Sequence, residues 1–326
     1  MLSGAVYDLR VALHGRFAGK RKPNRKFMSK KTKDMIFYTV LIAFPIAQFA
    51  YFYVAVNVNS VLLAFKSYDI LSGAYGFAGF SNFINIFKEF SGSNLMAKTA
   101  VNSLVAYAVG LIAGVPLALL FSFYITKKFP GHGFFKVILF LPSIISAIVM
   151  VVLFKYFVDR LYPEFMLRVF HKTVPGLLTD SRSAFATVLF YSILVGFGTG
   201  VLVYSGAIAR IPASLTEAAK LDGITSLREF WYITLPLIFP TISTFLIVGV
   251  AGIFTNQLNL FSFFSSSAEY EVYTFGYFLF AQTAYAGTAN YPRLAAYGLL
   301  FTLVAAPLTF GVKKLLEKLG PEATEF

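Results

Sequence analysis

The sequence predicts an all-α integral membrane protein with six transmembrane helices. Three observations carry this. Of its 326 residues 57% are hydrophobic and 13% charged, which is more apolar surface than the inside of one soluble domain of that length accommodates. Six windows free of charge, 35–65, 99–126, 137–154, 183–209, 230–268 and 294–312, each approach or exceed the roughly 20 apolar residues that cross the hydrocarbon layer. The connecting segments alternate in basic charge, with nineteen Lys and Arg on one side and nine on the other, the bias that separates cytoplasmic from translocated loops. Helices are expected near 36–58, 100–125, 135–154, 184–209, 237–259 and 294–314, with both termini in the cytoplasm.

Residues 1–34 form a basic tail holding ten Lys and Arg. Within it Leu2, Val6, Leu9, Leu13 and Phe17 recur at helical spacing, so 2–18 reads as an amphipathic helix lying on the inner leaflet or against a partner. The stretch 19–33 has almost nothing to bury and reads equally well as a disordered tail. Tail and first apolar run are both too long for a cleavable signal. The tail also accounts for much of the net charge of +13, through the positive-inside bias and attraction to anionic lipid, so nucleic acid is not an expected partner. With no cysteine, disulfides and thiolate metal sites are excluded.

The membrane-spanning body runs from 35 to 316, followed by a cytoplasmic tail, 317–326. Its first span contains Pro45. A loop rich in glycine and aromatics follows, but without a preceding strand or a Lys-Ser/Thr pair it is no phosphate cradle. The second span opens at Asn102-Ser103 and carries Gly110, Gly114 and Pro116; the third has Pro142 near its middle; the fourth has Gly196, Gly198, Gly200 and Gly206. Small residues of this kind let helices approach closely, and broken helices also surround cavities. The mixed loop 155–183, with Asp159, Glu164 and Asp180, is either a solvated surface or a partner-facing one. The charge-free run 272–292 is rich in Gly, Tyr and Thr and contains Gln282 and Asn290, so it is expected to be an extracytoplasmic helix followed by a loop rather than a seventh span.

The fifth span is expected to hold Thr255, Asn256, Gln257 and Asn259 in its outer half. Four polar side chains in a membrane helix should face protein or water; they serve either hydrogen bonds between helices or a polar solute. Between the fourth and fifth spans lies IPASLTEAAKLDGITSLREFWYITLPLIFP, 211–240, which is helix-prone and charged. Ser214 and Glu217 have capping-box spacing, Asp222-Gly223 forms a stop, and Ser226 and Glu229 repeat the box and open a second short helix. Pro236 and Pro240 then fall near the start of the next apolar run.

This segment closely resembles the EAA loop of binding-protein-dependent ABC importer permeases. Glu217-Ala218-Ala219, Gly223, Ile233, Leu235 and Pro236 match E-A-A, three residues, G, nine residues, I-x-L-P, without a gap. The resemblance implies the type I ABC importer permease fold and makes 210–236 a coupling loop that docks in a cleft of a separate ATPase subunit. Glu217 would pair there with a basic residue, while Ala218, Ala219 and the Asp222-Gly223 joint allow close packing. The passage FAGFSNFINIF after the first span resembles the external segment of sugar permeases. Asn256 and Asn259 fall on polar positions of a maltose-type stretch that lines the sugar site, with Gln257 between them. Ser265-Ser266-Ser267 stands where that family usually has T-x-G-G-P. Aromatics such as Tyr273, Tyr277 and Tyr285 offer rings on which a pyranose face stacks.

What is absent completes the expectation. There is no G-x-x-x-x-G-K-(S/T) for ATP and no carboxylate within any of the six expected helices, where an ion-coupled carrier usually places one. His14, His132 and His171 do not cluster at metal or catalytic spacing. The resemblance therefore implies a non-catalytic subunit of an oligosaccharide importer in a bacterial or archaeal inner membrane, binding no cofactor itself. Its partners would be a second, unlike permease, two ATPase subunits carrying ATP and magnesium, and an extracytoplasmic solute-binding protein. Other polar solutes, of glycerol-phosphate or peptide type, stay open, as does a free-standing carrier or channel.

Overall fold

The computed structural model describes residues 29–285 and 287–321; the expected amphipathic helix at 2–18 lies outside them. The first helix, α1 (Lys30–Leu63), starts at Ser29, whose hydroxyl accepts from Thr32 N at 3.2 Å. No residue of its stretch Lys30–Gln48 is buried.

After α1, strands β1 (Lys66–Asp69) and β2 (Ala74–Phe77) pair antiparallel, and α2 (Ser81–Gly92) follows. Asn82 donates to the carbonyls of both Ala64 and Lys66 at 2.8 Å, satisfying acceptors freed where α1 ends. Next come α3 (Asn94–Thr126), α4 (His132–Ile144), α5 (Ala147–Phe170) and α6 (Ser181–Ile208). Then follow α7 (Ala213–Leu221), α8 (Ser226–Ala251), α9 (Leu260–Phe264), α10 (Phe275–Tyr285) and α11 (Tyr291–Leu319). Five of these are long and apolar enough to cross a bilayer, and α4 with α5 makes six if the pair is one broken span.

The third span differs from expectation. Ile145 and Ser146 adopt extended conformations (ψ 142 and 134) three residues after Pro142, and the axes on either side diverge by 99°. The helix then runs on through 155–170 instead of ending in a loop. Asp159 and Asp180 of this region have structural partners. Asp159 accepts from Leu178 N at 2.9 Å, and Asp180 caps α6 by accepting from Arg182 N at 3.1 Å. Glu164 pairs with Arg168 one turn on.

The fifth span is also displaced. It begins at Ser226, eleven residues before its expected start, and stops at Ala251, so 252–259 is a run of turns and not membrane helix. The second short helix of the connecting segment is therefore the base of α8. A π-helical turn, Phe230–Thr234, lies just before Pro236. A proline ring clashes with the carbonyl four residues back and leaves it without a donor; here that carbonyl belongs to the widened turn. The same device recurs in α3, with Gly110–Gly114 before Pro116, and in α5, with Phe157–Leu161 before Pro163. Pro236 is thus an interior residue and not a helix starter.

Beyond α1, three apolar clusters hold the helices together. At one end Ala64, Ile86 and Met96 pack with Phe275, Tyr297 and Phe301. Next to them Val151, Val188 and Tyr191 meet Leu260, Phe263 and Tyr277. At the opposite end Phe123, Val201 and Tyr204 meet Phe230 and Ile238. Of the glycines expected to form a seam in α6, Gly198 does so, since a Cβ there would run into the Leu139 carbonyl, and Gly200 lies 3.0 Å from the Ala118 Cβ on the same measure. Gly196 and Gly206 meet nothing, nor do Gly110 and Gly114 of α3.

Candidate functional site

The connecting segment is built around α7. Pro212 precedes it and supplies no side-chain cap, and Thr225 precedes α8 likewise. Neither expected capping box forms, because α7 starts two residues early and α8 one, which places Ser214 and Ser226 inside the first turns. The stop is as expected. Gly223 has φ +70, Ile224 N donates to the Ala219 carbonyl at 2.9 Å and Gly223 N to that of Lys220 at 3.1 Å. Those two bonds on a left-handed glycine form a Schellman motif.

Of the residues singled out here, only Ala219 is buried. Glu217, Ala218, Asp222 and Gly223 are exposed, and the Glu217 carboxylate has no partner among the described residues. Leu221 is 90% exposed, and Leu227, Trp231 and Tyr232 also face outward. This end of the protein thus offers a well-terminated helix whose outer face carries Glu217 and Lys220 among small and apolar residues.

Sequence reasoning placed Glu229 in a capping box and missed its ion pair. The residue is 4% exposed in the first turn of α8 and forms an ion pair with Lys127 at the end of α3. The extended α8 therefore does contain a carboxylate. No local spacing links positions 127 and 229, so the sequence carried no signal of the pair.

The polar cluster 255–259 lies in the turns after α8. Asn256 and Thr255 are exposed, and both border a cleft of about 430 Å³ with Ser103, Tyr107, Phe245 and Thr274. Asn256 also borders a neighbouring cleft of about 530 Å³ with Ser192, Thr199 and Tyr204. Its Oδ1 accepts from Leu258 N at 2.9 Å, which fixes the side chain. Gln257 and Asn259 line neither cleft. Asn259 takes φ +56 ahead of α9, and the Gln257 Oε1 is buried without a partner among the described residues. Of the three expected path residues the structure brings one to a cavity.

Tyr277 is fully buried and donates to the Ser265 carbonyl at 2.7 Å, so its ring is core and not a free stacking platform. Tyr285 is 60% exposed.

Residues 106–319 match the family described as binding-protein-dependent transport system inner membrane component. The chain belongs to this family. Among relatives, a probable ABC transporter permease protein of Mycoplasma pneumoniae, the MG188 homolog, is 30% identical over 189 residues. That covers 55% of this chain and 56% of the relative, just over half its length. The multiple sugar-binding transport system permease protein MsmF of Streptococcus mutans is 23% identical over 65% of this chain and 72% of its own. The arabinooligosaccharides transport system permease protein AraP of Bacillus subtilis is 25% identical over 69% of this chain and 70% of its own. The fold is that of a crystal structure of a bacterial ABC transporter involved in the import of the acidic polysaccharide alginate. The match has a TM-score of 0.73 at 20% identity and covers 88% of this chain and 97% of the other. As a member of this family, the chain carries its segment 210–236 and the clefts beside Asn256 within or across the matched region.

Proposed function

We propose that this inner membrane component is one permease subunit of an ATP-driven, binding-protein-dependent importer of oligosaccharides. The observation that carries the reading is α7. Its exposed face bears Glu217, Lys220 and Leu221 with small residues between them and is closed by the turn at Gly223, the mixed apolar and charged surface that a docking element presents. ATP and magnesium belong to two separate ATPase subunits, and α7 enters a cleft of one of them. Glu217 pairs there with a basic side chain, and Ala218 lets the surfaces close.

Six crossings return the chain to the side on which it began, so the Lys and Arg bias puts both termini and α7 in the cytoplasm of a bacterial or archaeal cell. A second, unlike permease completes the path, and a solute-binding protein loads it from outside. An oligosaccharide is favoured by the sugar substrates named for MsmF and AraP and by the neutral lining of the clefts, with hydroxyl and amide groups from Ser103, Thr255, Asn256 and Thr274. Asn256 is the path residue, and Gln257 and Asn259 shape the turn that presents it.

The test is reconstitution of the chain in liposomes with its partner permease, ATPase and binding protein. Glu217→Ala should release the ATPase and abolish sugar uptake while leaving the membrane subunits folded. Uptake by this chain alone, unchanged by Glu217→Ala, would sink the reading.

A further inference from the structure

The ion pair between Lys127 and Glu229 belongs neither to the outer face of α7 nor to the clefts, yet it sits between them. Lys127 is the C-cap residue just past α3, where the chain turns, and Lys128 beside it has φ +55. Glu229 stands in the first turn of α8, which four residues, 222–225, separate from α7. The side chains are 19% and 5% exposed. Rings surround them, with Phe123 and Phe230 at 5.2 Å between centroids and the Lys127 Nζ 5.7 Å from the centre of Phe123.

Separating two charges in such surroundings leaves each uncompensated, which is far costlier than keeping them paired. Helix ends joined in this way move together. The walls of the cleft beside Asn256 come from these two helices, with Tyr107 and Gly110 on α3 and Phe245 and Gly249 on α8. A displacement of α7 reaches α8 through the short joint at Gly223, and it reaches α3 through Glu229 and Lys127.

We propose that the Lys127–Glu229 pair is the joint through which α7 moves α3 together with α8, making both residues positioning residues for the opening of the cleft. This rests on the docking reading of α7 given above. With the pair neutralised, α8 still follows the ATPase but α3 lags, so ATP is hydrolysed with little solute moved.

The experiment measures sugar uptake per ATP hydrolysed in liposomes containing the complete importer. Glu229→Gln and Lys127→Gln should lower that ratio about tenfold, within the range of coupling between distant sites, with ATPase activity retained. The exchange Lys127→Glu with Glu229→Lys should restore most of it. The apolar pair Lys127→Met with Glu229→Met leaves no lone charge and serves where a single variant does not assemble; its ratio should stay low. A wild-type ratio in the single variants or in the apolar pair would overturn the proposal. So would failure of the apolar pair to assemble, which would assign the charges to folding alone. Glu217→Ala, run in parallel, separates the two ideas: if it retains both ATPase binding and uptake, the docking reading itself has failed.

Discussion

The Thr274 hydroxyl donates to the main-chain carbonyl of Asn256 at 2.9 Å and its oxygen accepts from Tyr277 N at 3.2 Å. One side chain thereby joins the turn after α8 to the start of α10. Three further bonds brace the arrangement from α3. Asn102 donates to the carbonyls of Glu271 and Tyr273 at 2.7 and 2.9 Å, and the Ser103 hydroxyl accepts from Phe275 N at 3.0 Å. Gly276 completes it, for a Cβ there would collide with the Asn256 main chain.

Thr274→Val keeps the shape and removes the donor and acceptor. The unmade bonds should cost about 1–3 kcal/mol, read as a lower melting temperature in detergent. Because the backbone of Asn256 loosens, the KM for uptake should rise more than the maximal rate falls.

Glu217→Ala should leave thermal stability within about 0.5 kcal/mol of wild type, as for a surface change with no partner lost. Co-purification of the ATPase on the tagged permease should nevertheless fall sharply. A large fall in melting temperature would mean that the carboxylate is structural.

Two Gly→Ala changes should behave differently. At Gly223 the added Cβ meets nothing within 4 Å, so only the left-handed conformation is strained, at about 1–2 kcal/mol, and the loss should appear in ATPase retention. At Gly198 the Cβ runs into the Leu139 carbonyl, and overpacking of about 1–3 kcal/mol should reduce the yield of folded protein. Fluorescence-detected size exclusion of both variants checks this.

Tyr277→Phe should lower stability by about 1 kcal/mol, the net value of one hydrogen bond, with the KM for sugar unchanged. Tyr285→Ala should leave stability alone. A raised KM in the first variant would return Tyr277 to the substrate path.

The positions of the first, second, fourth and sixth crossings were legible because hydrophobicity is counted along the chain and a bilayer demands a minimum length. The stop at Gly223 was legible because one residue type suits a left-handed terminus. The break at Ile145–Ser146 was not, since apolar residues on both sides look the same whether the axis continues or turns. The polar run 255–259 was misplaced for a related reason: Leu258 and Asn259 have φ +51 and +56, and Gly252, where α8 stops, has an ordinary φ of −82 and reads in the sequence like the other glycines of the spans. Asn256 could be picked out as a polar residue in an apolar setting, but its neighbours on the cleft, Ser103 and Ser192, come from helices whose rotation about their axes the sequence does not state. The bond between Lys127 and Glu229 joins residues 102 positions apart, and only the packing of α3 against the base of α8 brings them together.

The widened turn before Pro236 sets the phase of α8. One residue of helix corresponds to about 100° of rotation, so the extra residue held in Phe230–Thr234 decides which way everything on its far side points. Deleting a single residue there would leave composition and hydropathy almost untouched and the span long enough to cross. Because Pro236 bars an ordinary turn there, the widened turn cannot simply close to absorb the loss, and Glu229 would swing roughly a quarter of a circle relative to the membrane-embedded half, away from Lys127. Through α3 and α5, where Pro116 and Pro163 follow the same kind of turn, the azimuth of each crossing is likewise written in the count of residues before a proline, and single-residue insertions or deletions there should be far less tolerated than substitutions.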